Sequence, residues 1–357
     1  MPDPIRSALA RKPWLLADGA TGTNFFAMGL EHGDSPELWN LEHPEKVKEN
    51  YRRFIEAGSD IILTNTFGGT ANRLKLHKAE DRVAEINAAA ARLARESVAE
   101  SGREVIVAGS MGPTGDLFEP LGPLSHEDGA AVFAEQARGL AEGGADVLWI
   151  ETISSLDELR AAVEGAGVAD LPVVCTMSFD TNGRTMMGVM PSQLPQFVRE
   201  LNPVPTAYGG NCGVGAAELV TAILTMAENA APDDVIVAKS NCGIPEFVDG
   251  EIVYSGTLDL MSDYARMVYD AGARIIGGCC GTTPDHVAAM RASLEAHHRG
   301  ERPAVETVIE RLGQISKGAQ AMRMGRLGPE AADAGDGGTG RRRGGRSARR
   351  RSGAATD

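Results

Sequence analysis

Eight short apolar runs recur along the chain, separated by stretches with helical periodicity. The runs are WLLADGAT (14–21), DIILTNTF (60–67), EVIVAGSM (104–111), DVLWIET (146–152), PVVCTMSF (172–179), PTAYGGNC (205–212), DVIVAKSN (234–241) and ARIIGGCC (273–280). Val, Ile and Leu dominate most of them, as in parallel strands buried on both faces. Between them, VKENYRRFIEAG and AAVFAEQARGLAEGG space apolar residues as one helix face requires, and each ends in Gly, a usual helix stop. Eight strand–helix units predict an α/β fold, a (β/α)8 TIM barrel. Active sites of such barrels are built from the C-terminal ends of the strands. Here those ends read DGATG, TNTF, GSMG, ETIS, GGNC and GGCCG.

The pattern places the barrel in residues 1–316 and a tail in residues 317–357. The tail is rich in Gly, Ala and Arg without apolar period, so it is expected to be disordered. Its seven arginines between Arg341 and Arg351 suit either plain solvation or contact with an acidic partner.

Composition narrows the function. A hydrophobic share of 43% supports a large core, and only 5% aromatics means that aliphatic side chains must fill it. A net charge of −14 argues against nucleic acid as the main partner, since phosphate contact needs concentrated Lys and Arg. No apolar run reaches the roughly 18 residues of a membrane span. The N-terminus does not read as a secretory signal, so the cytoplasm is expected. There, five cysteines are better read as metal ligands or buried thiols than as disulfides.

Cys212 ends the sixth run, and Cys279 and Cys280 end the eighth. In a closed barrel these positions point toward one mouth, so three thiolates can converge without any local Cys-x-x-Cys spacing. Zinc suits soft thiolates in tetrahedral geometry, and three protein ligands leave one position for a substrate. Core packing or a redox role is the alternative reading. Adjacent cysteines rarely pair with each other, because the disulfide would be strained. Cys175 lies inside the fifth run and is expected to be a core thiol. Cys242 follows the seventh run near the same mouth, as a spare thiol or a fourth ligand that would close the site.

DGATGTN, EAGSDIILTNTF, GPTGDL, WIET, GGNC and GGCCGTTPDH, in this order over roughly residues 10–298, resemble the homocysteine S-methyltransferase family. The resemblance implies a (β/α)8 barrel in which Cys212, Cys279 and Cys280 bind catalytic zinc, with no catalytic residue beyond that site. It further implies that Asp18 and Glu151 bind the amino group of homocysteine. The turn 19–23, with Gly19 and Thr21, could offer backbone N–H groups to the carboxylate, although Gly-rich turns are often purely structural. Asn65 and Asn211 could orient substrate or ligands. Ser110, Ser178 and Asn241 are other polar strand ends that could equally satisfy nearby backbone. A structural zinc-binding subunit without activity is the non-enzyme alternative.

The resemblance also bears on the methyl donor. Betaine–homocysteine methyltransferases place aromatic residues at positions aligned with Ser35, Gly68 and Thr152, and quaternary ammonium groups are usually held by aromatic cages. Trp39 and Phe67 lie near in sequence but make no obvious cage, and Trp39 is expected to pack against the barrel. TNTF, GPTGDLFEPLG, WIETISSLDEL, MSFDTNGRT and GGCCGTTPDH are instead similar to the homocysteine half of cobalamin-dependent methionine synthase. This implies a stand-alone homocysteine module that takes methyl from methylcobalamin on a separate corrinoid protein. Betaine, S-methylmethionine and S-adenosylmethionine are the alternative donors.

Overall fold

The computed structural model describes residues 3–248 and 251–326. Each of the eight runs yields one barrel strand: β1 Leu15–Leu16, β2 Ile61–Leu63, β3 Ile106–Met111, β4 Val147–Ile153, β5 Val173–Met177, β6 Ala207–Cys212 and β7 Ile236–Ser240, then, after a hairpin, β10 Ile275–Gly278. They pair in parallel in the order β1-β10-β7-β6-β5-β4-β3-β2. A parallel bridge between Ala17 and Ile61 brings β1 against β2, which makes the sheet a (β/α)8 barrel.

The hairpin, β8 Pro245–Val248 and β9 Glu251–Tyr254, is antiparallel and lies between β7 and its following helix Leu258–Ala271. The apolar runs above do not include it. Its signal is present in the sequence as an Asp-Gly pair between two β-prone segments.

Side chains of alternate strand residues fill the barrel. Leu15, Ile61, Ile106, Val147, Val235 and Ile275 form its lower layer, together with Ile5 and Leu9 of the helix Pro4–Leu9. That helix plugs the end opposite the strand termini. Asp3 caps it by accepting from the Ile5 and Arg6 amides. Above this layer, Trp149 fills the axis, fully buried beside Ala17, Ala108 and Ala207. Around the barrel most helices bury one face, whereas Ala216–Ala227 is buried on nearly every side. In Pro44–Glu56 the buried positions Val47, Asn50, Tyr51, Phe54 and Ile55 follow the helical period. Tyr51 also reaches the mouth, where its hydroxyl accepts from the Asn65 amide at 2.7 Å. Trp39 is buried against Phe25, at 5.2 Å between ring centroids.

A helix, Lys317–Arg323, follows directly on the boundary expected after residue 316. Ser316 caps it and bonds Glu218, while Gly318 and Gly183 allow close approach to the loop after β5. Described structure thus continues to residue 326, and the arginine-rich segment 341–351 lies outside the described residues. Local apolar periodicity is short here, which is why the segment reads as tail. Val308, Leu312, Ile315 and Ala319 are all buried in the outer core. Ending the chain after residue 304 is therefore expected to cost about 3 kcal/mol or more relative to a chain ending at 326. Denaturant titration of the two lengths checks this. No helix of the described residues is long and apolar enough to cross a membrane.

Candidate functional site

The C-terminal ends of the strands enclose a cavity of about 340 Å³. Cys212, Cys279 and Cys280 line it, with their three sulfurs all within 4.8 Å of one another. Cys212 and Cys280 are 4.0 Å apart. Sulfurs sharing a tetrahedral zinc at about 2.3 Å would stand about 3.8 Å apart, so small side-chain adjustments would seat the ion.

Backbone geometry aims these thiols. Cys212 has φ 60°, a left-handed conformation that non-glycine residues rarely adopt, and it turns the side chain in at the end of β6. Thr152, at the end of β4, has φ 63°. Asn211 joins these two strained ends. Its Oδ1 accepts from the Thr152 amide at 2.8 Å and the Thr176 hydroxyl at 2.7 Å. Its Nδ2 donates to Thr152 Oγ1 at 2.7 Å and points to Cys279 Sγ at 3.8 Å. Asn241 performs the matching task on the other side: it accepts from the Cys280 amide at 3.1 Å and donates to the Gly213 carbonyl at 2.6 Å. The two cysteine-bearing loops are thereby held at a fixed separation.

Crowding distributes the protons unequally. Hydrogen bonds from Cys212 and then Cys279 hold the Cys280 thiol down to about 3, while its bonding to Cys279 first of all pushes Cys212 well up. Tyr254, at the end of β9, packs its ring against the loop that carries Cys280, and burial, helped by the charge of a Cys280 thiolate, pushes its phenol up. Gly281 makes room for that ring, since a Cβ there would lie 2.3 Å from it. Cys242 stays apart, donating to the Gly256 carbonyl at 3.4 Å. Cys175 is fully buried, and that burial pushes its thiol up.

Glu151 lines the cavity opposite the thiols. Ser110 donates to its Oε1 at 2.6 Å, and among the described residues its Oε2 makes no hydrogen bond. Burial raises this carboxyl to about 7, against the pull of Lys239. Gly19 and Thr21 also line the cavity. A Cβ at Gly19 would meet the Thr282 carbonyl at 2.5 Å, so only glycine fits between β1 and the loop after β10. Asn65 lines the cavity too, but its amide group is tied to the Pro36 carbonyl at 2.6 Å and to Asn40 at 3.1 Å. It braces the loop after β2.

Asp18, expected from the resemblance to meet the substrate ammonium, sits at the end of β1 beneath the cavity. It is buried and absent from the cavity lining, and both its oxygens are engaged. Oδ2 accepts from the Leu63 amide at 2.7 Å and Oδ1 from Lys239 Nζ at 2.8 Å. Lys239, Asn241, Ser110 and Tyr254 are site residues that the motif reading passed over or left aside. Lys239 had a signal: in VIVAKS it occupies the inward parity of Val235 and Val237, where a charge has no structural reason to be.

The fold and these side chains define a class: a (β/α)8 barrel with a three-thiol centre and a buried carboxylate at its catalytic mouth. The family model for homocysteine S-methyltransferase matches residues 15–294, and the chain belongs to that family of methyltransferases. It is 29% identical over 305 residues to the methionine synthase of Mycobacterium tuberculosis, covering 81% of this chain and 25% of that protein. The methionine synthase of Mycobacterium leprae is 28% identical over 309 residues, with 82% and 25% covered. The chain thus spans about a quarter of the length of the curated relatives it matches. The metallated form of the Escherichia coli homocysteine methyltransferase MmuM superposes with a TM-score of 0.69 at 25% identity, covering 81% of this chain and 99% of that one. Its oxidized form gives 0.68 at 24% identity and shares the fold.

Proposed function

We propose that this chain methylates the sulfur of homocysteine to give methionine, with zinc held by Cys212, Cys279 and Cys280. The observation that carries the reading is the convergence of three thiols and a buried carboxylate in one cavity of a chain of this family. Those three thiols would hold the ion, and zinc bound there would supply the Lewis acidity that favours the thiolate form of the substrate at neutral pH. Glu151 binds the substrate ammonium through its open oxygen. The turn 19–23 offers backbone N–H groups to the carboxylate, because the first amides of the helix Gly22–Ala27 have no partner within it. Asn65 and Asn211 act by holding the loop after β2 and the Cys279 sulfur. The thiolate sulfur attacks the methyl carbon, and the donor leaves with the bonding pair.

The donor we propose is a methyl-corrinoid carried by a partner protein. Ser35 and Gly68, two of the three positions that would carry a cage, are both tied to Glu37: Ser35 donates to its Oε2 at 2.6 Å and the Gly68 amide to its Oε1 at 2.7 Å. A Cβ on Gly68 would lie 2.8 Å from that carboxylate, so a side chain there would push Glu37 off the Gly68 amide and break the link that ties the two positions together. Zinc-loaded protein given homocysteine is expected to form methionine with methylcobalamin and none with betaine. Product analysis over a donor panel, including S-methylmethionine and S-adenosylmethionine, checks this. Efficient turnover with betaine alone would sink the donor assignment. Retained zinc without homocysteine binding would favour a structural zinc subunit.

A further inference from the structure

Lys239 is 2% exposed, and its counter-ion Asp18 is 3% exposed by side chain. Taking two ions out of water is costly, and a buried pair often stabilises less than an apolar pair of the same shape. Packing does not account for Lys239, whose Nζ also stands 5.6 Å from the Trp149 ring centroid. The residue lines the same cavity as Glu151. Burial opposes its charge, yet Asp18 and Glu151 together hold its pKa above the usual lysine range. The ammonium is therefore a standing cation within the field of two carboxylates.

This arrangement poses a competition. On the functional reading above, Glu151 must receive the ammonium of a free amino acid. An ammonium tethered in the same cavity has an effective concentration that a dissolved ligand rarely matches. Unless it is held elsewhere, Lys239 would occupy Glu151 itself. The hold is visible: the 2.8 Å bond to Asp18 Oδ1, with Asp18 anchored through Oδ2 to the Leu63 amide.

We propose that Asp18 is a positioning residue that retains Lys239, so that Glu151 stays open to the ammonium of homocysteine. Asp18 then serves substrate binding without touching substrate. The inference rests on the homocysteine reading and is separable from it.

The test is isothermal titration of homocysteine into zinc-loaded wild type, D18N and the double variant D18N/K239M. The carboxamide introduced by D18N can still accept from the Leu63 amide but presents an NH₂ group to Lys239, which releases the lysine toward Glu151. D18N is expected to bind at least tenfold more weakly than wild type. The double variant, with no lysine to release, is expected to bind at least tenfold more tightly than D18N. Zinc content and thermal unfolding verify that each variant folds, and Asp18→Ser replaces D18N if it does not. Loss in D18N with no recovery in the double variant would mean that Asp18 contacts the substrate directly, which overturns the inference. Undiminished affinity in D18N overturns it as well. Failure of zinc-loaded wild type to bind homocysteine removes the functional reading instead, and this inference with it.

Discussion

Alanine at Cys280 is expected to strip the protein of zinc and to lower methionine formation by at least about 10³-fold. Two thiols remain in that variant, at positions 212 and 279, and two ligands are too few for a stable tetrahedral site. The activity loss follows from the substrate's side: a metal-activated nucleophile is worth several kcal/mol of barrier, and about 4 kcal/mol corresponds to 10³ in rate. The same outcome is expected for Cys212→Ala and Cys279→Ala, because the three sulfurs lie mutually within 4.8 Å and none is peripheral. Two controls make the prediction specific. Cys242→Ser is expected to keep zinc, since that thiol is directed to the Gly256 carbonyl. Cys175→Ala is expected to keep it too, because that side chain belongs to the outer core. Metal analysis of the purified variants gives the readout. Stoichiometric zinc in C280A would refute its role.

The barrel was legible because parallel strands covered on both faces must be nearly continuous apolar runs, and no other element leaves that trace eight times. The thiols were legible because barrel geometry gathers strand ends wherever they fall in the chain. What stayed hidden depends on contacts that spacing does not encode. Lys239 and Asp18 are 221 residues apart, and only the closed barrel brings the inward side chain of β7 under the end of β1. The motif at Asp18 points to substrate and gives no sign of the bonds that its oxygens make to Lys239 and Leu63. Asn241 looked like one polar strand end among several; its importance lies in joining Gly213 to Cys280, on two different loops. Tyr254 reaches the Cys280–Gly281 loop from a hairpin that adds no strand to the barrel, so counting strand–helix units passes over it.

Glutamine at Glu151 separates substrate recognition from the metal. The change is isosteric, so the amide can still meet Ser110, and no cysteine loses a hydrogen bond to Glu151 in the described structure. Zinc content is expected to stay at the wild-type level. Homocysteine affinity is expected to fall by about 100-fold, because a charge-assisted hydrogen bond to a buried carboxylate contributes about 2–3 kcal/mol. The loss should appear mainly in KM, with a smaller change in kcat, since the ammonium lies away from the sulfur where bonds form and break. Titration calorimetry and steady-state kinetics on the same preparation check both halves. A normal homocysteine affinity would count against the ammonium assignment. Loss of zinc would show instead that Glu151 supports the thiol centre. The variant also bears on Lys239. With residue 151 neutral, a released lysine has no carboxylate there to capture, so adding D18N to E151Q is expected to weaken binding by less than threefold. If D18N still costs tenfold or more on the E151Q background, Asp18 acts on the substrate by a route that does not pass through Glu151.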